Sequence, residues 1–183
     1  MALEQNIQTA IIGKAKLGDE TALELLYNNY NKAMYSICLR MVAAKDDAED
    51  LLQESFIIAF KNLNQLKDDR QFAGWLKRIT VNECIRFCKK RLQTISWDNI
   101  SFEEKIEDET HWWQDVSLSI LHTAIRKLPE GCRQVFNLFA IEDYSHKEIA
   151  NNLNISESTS KSQYHRARKL LKEQILIKIK NNG

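Results

Sequence analysis

Apolar residues recur along this chain at intervals of three and four, with few runs that alternate every second residue, so helices are predicted nearly throughout. Residues 3–16 form a short amphipathic stretch with Ile7, Ile11 and Ala15 on one side. Gly18 stops it, and Asp19 is placed to cap the next helix, residues 21–42. That helix has Leu25, Leu26, Tyr30, Met34, Ile37 and Met41 on its buried side. Asp46, with Glu49 three residues on, reads as a capping box that opens a helix to about residue 63. Ala48, Leu52, Phe56, Ala59 and Leu63 define its inner face. A charged turn at residues 67–71 leads into a helix over residues 72–92. Residues 93–115 lose the period, and residues 116–128 regain it. Pro129 then stands near the first position of a further helix that carries Val135, Phe136, Leu138 and Phe139. With only 5 glycines and 1 proline to break helices, the pattern implies an all-α protein.

The most informative stretch is YSHKEIANNLNISESTSKSQYHRARKLL, residues 144–171. Ser145 and Glu148 form a capping box, and Ile149, Ala150 and Leu153 give the helix one apolar side. Asn154 tolerates a left-handed turn, and Ser156 caps a second, longer helix. There Ser160, Tyr164, Ala167 and Leu171 share one side. Ser158, Lys161, Ser162, His165 and Lys169 share the other, with Arg166 and Arg168 at its margins. The pattern matches a helix-turn-helix whose second helix enters a DNA major groove. A merely solvated amphipathic helix is the alternative.

Two further helix faces carry chemistry. At about 100° per residue, Trp75, Arg78, Asn82, Arg86 and Lys89 fall on one strip of residues 72–92. Phe72, Leu76 and Ile79 border it, and Val81, Cys84, Ile85 and Cys88 cover much of the remainder. An aromatic for stacking, a carboxamide for a base edge and cations for phosphate suit single-stranded nucleic acid. The other reading puts Trp75 in the core and leaves the cations solvated. On the preceding helix, Asp47, Asp50, Glu54, Ile57 and Lys61 make an outward stripe. It admits a solvated face, a docking face for a basic partner, or a carboxylate metal site, the last without the Glu-x-x-His that such helical bundles supply.

Composition alters this picture in one respect. A net charge of +1 would not suggest nucleic acid, but the charges are unevenly placed. Residues 66–92 hold eight basic residues against three acidic, and residues 160–183 hold seven against one. The acidic residues 98–115 lie between, so two separate nucleic-acid contacts are implied. Cys38, Cys84, Cys88 and Cys132 form no Cys-x-x-Cys pair and read as buried thiols in a reducing cytosol. No metal or other cofactor is expected. No apolar run reaches membrane-spanning length, and Glu4 and Gln5 stand where an export signal needs a basic start and an apolar core. A cytoplasmic protein is therefore expected.

Taken together, these blocks resemble the bacterial sigma factors of the extracytoplasmic-function group, in the sigma-70 family. LGDETALELLYNNY (17–30), DDAEDLLQESFIIAF (46–60) and FAGWLKRITVNECIRFCKKR (72–91) are similar to that family's region 2. Residues 128–171, from LPEGCRQVFNLF through the helix-turn-helix, are similar to its region 4. The resemblance implies two small helical domains joined by a flexible acidic linker: region 2 over residues 1–92, the linker over 93–115, and region 4 over 116–183. It implies a transcription initiation factor with no catalytic site, whose partners are core RNA polymerase, promoter DNA as duplex and single strand, and an anti-sigma protein, often membrane-bound. Asp47, Asp50, Gln53, Glu54 and Ile57 fall where the family docks on the polymerase clamp helices. Phe72, Trp75, Arg78, Asn82, Arg86 and Lys89, with the turn at residues 69–72, fall where it opens the −10 element and holds a flipped base. Ser158, Lys161, Ser162, His165, Arg166 and Arg168 fall where it reads the −35 element as duplex. The linker falls where the family threads toward the RNA exit path. Ser160, where valine is more common, and Tyr164, where leucine is, soften the core face of the recognition helix. Asn154 replaces the common turn glycine, and His165 is a weaker, titratable contact than arginine. A stand-alone helix-turn-helix regulator would have no need of the strip at Trp75 to Lys89, and a metal-dependent helical enzyme would lack histidines beside its carboxylates.

Overall fold

In the computed structural model, which describes residues 2–92 and 116–181, the chain divides into two compact units, Met1–Arg86 and Phe87–Gly183. Among the described residues all regular structure is helical. The expected linker, residues 93–115, with Trp97, Phe102, Trp112 and Trp113, lies outside the described residues.

The N-terminal unit is built from α1 (Ala2–Lys16), α2 (Glu20–Val42), α3 (Lys45–Lys61) and most of α4 (Phe72–Leu92). Gly18 turns the chain at φ +85°, and Asp19 caps α2 by accepting a hydrogen bond from the Ala22 amide at 3.0 Å. The inner face of α1 is rotated from the one expected. Ile7 is 55% exposed, while Ile12 and Ala15 are buried. Gln8 takes the inward place beside them and donates to the Tyr30 hydroxyl at 2.5 Å. Leu25 is likewise exposed, and Ala22, Cys38 and Val42 complete the buried side of α2 instead. The expected capping box at Asp46 does not form. The N-cap is Ala44, without a side-chain cap, and Asp46 and Asp47 sit inside the first turn, where their charge complements the helix dipole. Two 3-10 turns, Leu63–Gln65 and Asp69–Gln71, link α3 to α4.

The C-terminal unit comprises α5 (Leu118–Arg126), α6 (Glu130–Ala140), α7 (His146–Leu153) and α8 (Glu157–Asn181), with the last residues of α4 assigned to it. Its core gathers Leu121, Ile125 and Leu128 with Cys132, Phe136, Ala167, Leu171 and Ile175. Pro129 is the N-cap of α6, one place earlier than its expected position. Arg133 is buried and donates to the Leu128 carbonyl at 2.9 Å, satisfying backbone left open where α5 ends. All four cysteines are buried and free. The Cys132 thiol donates to the Gln163 Oε1 at 3.0 Å, and burial pushes its pKa up to about 11.

The depth of α8 in this core is measurable. Leu171→Ala should cost roughly 2–5 kcal/mol in urea unfolding followed by circular dichroism. Leu176→Ala, at a position 51% exposed, should change stability by less than about 0.5 kcal/mol.

Candidate functional site

The helix-turn-helix is assembled by local bonds. The Ser145 hydroxyl accepts from the Glu148 amide, and a Glu148 carboxylate oxygen accepts from the Ser145 amide at 2.8 Å, closing the capping box. Asn154 ends α7 in the left-handed region, at φ 58° and ψ 49°. Ser156 then caps α8, its hydroxyl accepting from the Thr159 amide at 2.9 Å. With its start fixed, α8 buries Ser160, Gln163, Ala167 and Leu171. Ser158, Lys161 and Lys169 are exposed, and Ser162, His165 and Arg166 are half-buried beside them. Lys161 pairs along the helix with Glu157 at 2.7 Å. The Ser162 hydroxyl donates back to the Thr159 carbonyl. Arg168 departs from this row. Its guanidinium lies 5.9 Å from the Tyr164 ring centre, and both line a cleft of about 390 Å³ with Phe139, Tyr144 and Glu148.

In the N-terminal unit, α4 is positioned by Phe72, fully buried, its ring edge-on to Tyr30 with centroids 5.2 Å apart. Phe72, which borders the strip in the sequence and which the resemblance places among the −10 contacts, is a core residue with no exposed surface and supports the strip from beneath. Arg78, Asn82 and Arg86 are exposed in a row, with Trp75 and Lys89 half-buried at its ends. Glu83 went unnoticed in the sequence. It is largely buried and forms an ion pair with Arg86, so it orients that guanidinium and competes for it. The turn before α4 is self-ordered. The Asp68 carboxylate accepts from the Arg70 amide at 3.1 Å and from its guanidinium at 2.9 and 3.0 Å. Those bonds, the side-chain ones foremost, hold the Asp68 pKa down at about 2. On α3, Asp50, Gln53, Glu54, Ile57 and Lys61 are exposed and Asp47 is half-buried, so the stripe lies on the surface as spaced.

Comparison with known proteins gives these surfaces a context. The family model for sigma-70 region 2 matches residues 26–93, and that for sigma-70 region 4 matches residues 118–171. The chain is 32% identical over 176 residues to the ECF RNA polymerase sigma factor SigW of Bacillus subtilis, covering 90% of this chain and 94% of that protein. The chain belongs to the sigma-70 family, in its extracytoplasmic-function group. SigM of Bacillus subtilis is 30% identical over 82% of this chain and 93% of its own length. Among solved structures, CnrH in complex with the cytosolic domain of CnrY is similar at 24% identity, covering 91% of this chain and 95% of that one, with a TM-score of 0.47.

This sigma factor is thus a transcription initiation factor that directs RNA polymerase to promoters, not an enzyme. Among the described residues, no group of His, Cys, Asp and Glu is disposed to hold a metal ion, and no helix is long and apolar enough to cross a membrane. Both family matches contain the surfaces described above, and α1 lies ahead of them.

One buried polar contact was not legible from spacing. Ser160, at the core face of α8, hydrogen-bonds His146 Nδ1 at 2.9 Å. The His146 ring stacks on Phe139, centroids 4.2 Å apart at 13°, and meets Tyr164 edge-on. Ser160 therefore has a polar partner at the start of α7. Burial foremost, then the Lys161 charge, lowers the His146 pKa, and Glu157 opposes them. The fold thus favours the neutral form of this ring. As pH falls below the ordinary histidine value of about 6.5, the unfolded chain takes up the proton first, so stability is lost from there down to the folded pKa. The urea midpoint should be lower at pH 5.5 than at pH 7.5, and His146→Gln should flatten that difference. Equal midpoints in the parent protein would remove the histidine from the account.

Proposed function

We propose that this sigma factor reads the upstream (−35) element as duplex through α8 and captures the opened −10 strand through α4. The supporting observation is that α4, whose Trp75 to Arg86 belong to the first unit, and α8, in the second, each bury one side and turn a basic, polar strip outward. On α8, Ser158, Lys161, Ser162, His165 and Arg166 would face the major groove, with Arg168 at the margin. On α4, Trp75 would stack a base, Asn82 would bond its edge, and Arg78, Arg86 and Lys89 would meet phosphate. The turn at residues 69–71 would hold the flipped base. The α3 stripe of Asp47, Asp50, Gln53, Glu54 and Ile57 would dock on core polymerase. Four of these five are exposed, and an apolar Ile57 at 46% exposure among carboxylates suits a partner with a basic rim and an apolar centre. Region 2 would span residues 1–92 and region 4 residues 116–183, with the acidic segment 93–115 joining them. Family membership also suggests an anti-sigma protein as a further partner.

The direct test is reconstitution of the purified protein with core RNA polymerase and genomic promoter fragments. Selective binding and initiation support the reading; binding of an isolated operator without polymerase would favour a stand-alone regulator. Asn82→Ala should reduce permanganate reactivity of the opened strand more than it reduces duplex binding, and equal losses would contradict strand capture. Arg166→Ala should weaken upstream duplex binding by roughly 1–3 kcal/mol if it pairs with a guanine. Unchanged affinity and preference in a duplex titration would take it out of the interface.

A further inference from the structure

The turn proposed to hold the flipped base is tied to a helix that precedes the family match. Lys16, in the last turn of α1, extends its ammonium across the unit to two acceptors. It donates to the Leu66 carbonyl at 2.9 Å and to Asp69 Oδ1 at 2.6 Å. Leu66 follows the first 3-10 turn, and Asp69 begins the second. One cation therefore fastens both ends of the short connection between them. The pair is substantially shielded, with Lys16 and Asp69 side chains 23% and 20% exposed. The bonds that the Asp68 carboxylate accepts from Arg70 and Gln71 lie within the turn and shape it.

We infer that Lys16 is a positioning residue for strand capture: its ammonium holds the residue 66–69 connection in place and neutralises Asp69 where a phosphate backbone would approach. The inference rests on the proposed −10 role of this turn. Two physical effects follow from the bond. A turn fastened at its first residue, with the connection leading into it also held, needs less ordering when the base arrives. A carboxylate paired with a cation also repels an incoming strand less than an unpaired one. The rest of α1 keeps Lys16 in register, through buried Ile12 and Ala15 and through Gln8 on Tyr30, whose ring abuts Phe72 at the start of α4.

The test uses full-length protein in holoenzyme, on a promoter selected by the parent holoenzyme from genomic fragments. The probe is a fluorescent non-template oligonucleotide spanning its permanganate-reactive segment, beside a scrambled oligonucleotide of the same composition. Lys16→Met retains the apolar stem and removes the charge; Lys16→Arg retains the charge. Lys16→Met should lose about fivefold or more of its preference for the selected strand, with upstream duplex binding and core polymerase binding within about twofold of the parent. Lys16→Arg should recover most of that preference. If Lys16→Met fails to fold, Lys16→Gln, which keeps a donor toward the Leu66 carbonyl, carries the same comparison. Retained preference in the uncharged variant overturns the inference while leaving the −10 reading intact. Loss of strand, duplex and core binding in step overturns it too, since Lys16 would then serve folding alone. A parent protein that does not distinguish the selected strand from the scrambled one overturns the −10 reading and this inference with it.

Discussion

The N-terminal unit turns on the burial of one ring. Phe72 opens α4 with no exposed surface, edge-on to Tyr30 of α2. An edge-to-face aromatic pair fixes both the seat and the rotation of the helix it begins. Once Phe72, Leu76, Val81, Cys84 and Ile85 face inward, 3.6-residue geometry leaves Arg78, Asn82 and Arg86 outside. The exposed row is thus a consequence of the core, not an independent feature. Tyr30 in turn is held by Gln8 of α1, so the first helix reaches α4 through a single intermediary.

The C-terminal unit solves a similar problem with polar means. Capping bonds at Ser145, Asn154 and Ser156 set where α7 starts and stops and where α8 starts. Apolar packing of Ala167 and Leu171 seats α8 deeply at its middle, but toward its start the contact is His146 with Ser160. A hydrogen bond is directional where apolar packing is not, so this contact restricts how α8 is rotated against α7.

What could be read from the sequence divides along the range of the interaction. The capping box at Ser145, the left-handed Asn154 and the start of α4 at Phe72 depend on residues a few positions apart, and periodicity exposed them. So did the outward rows on α3, α4 and α8. Local rules failed where a neighbour outside the window decided. Asp46 satisfied the capping pattern, yet the helix begins at Lys45 and the box is lost. Ile7 had the better apolar spacing, but Tyr30 offered a hydroxyl that Gln8 could meet. Lys16 with Asp69, 53 residues apart, and His146 with Ser160, 14 apart, leave no periodic trace. Phe72 shows the remaining difficulty: an aromatic bordering a functional strip has the same spacing whether it faces a ligand or supports the helix from below.

The length of α8 has a mechanical meaning. It runs for 25 residues, about 37 Å, with neither glycine nor proline to bend it. Lys161, His165 and Arg166 ride on the same rod as Leu171 and Ile175, which are clamped in the core. A rod gripped at its middle carries a rotation there to the residues on either side. A change of shape among α5, α6 and α8 that turned Leu171 by some angle would turn the outward row by that same angle. If α8 reads duplex DNA as proposed, residues that never meet DNA would share in deciding which sequence it prefers, acting as the bearing in which its outward row is set.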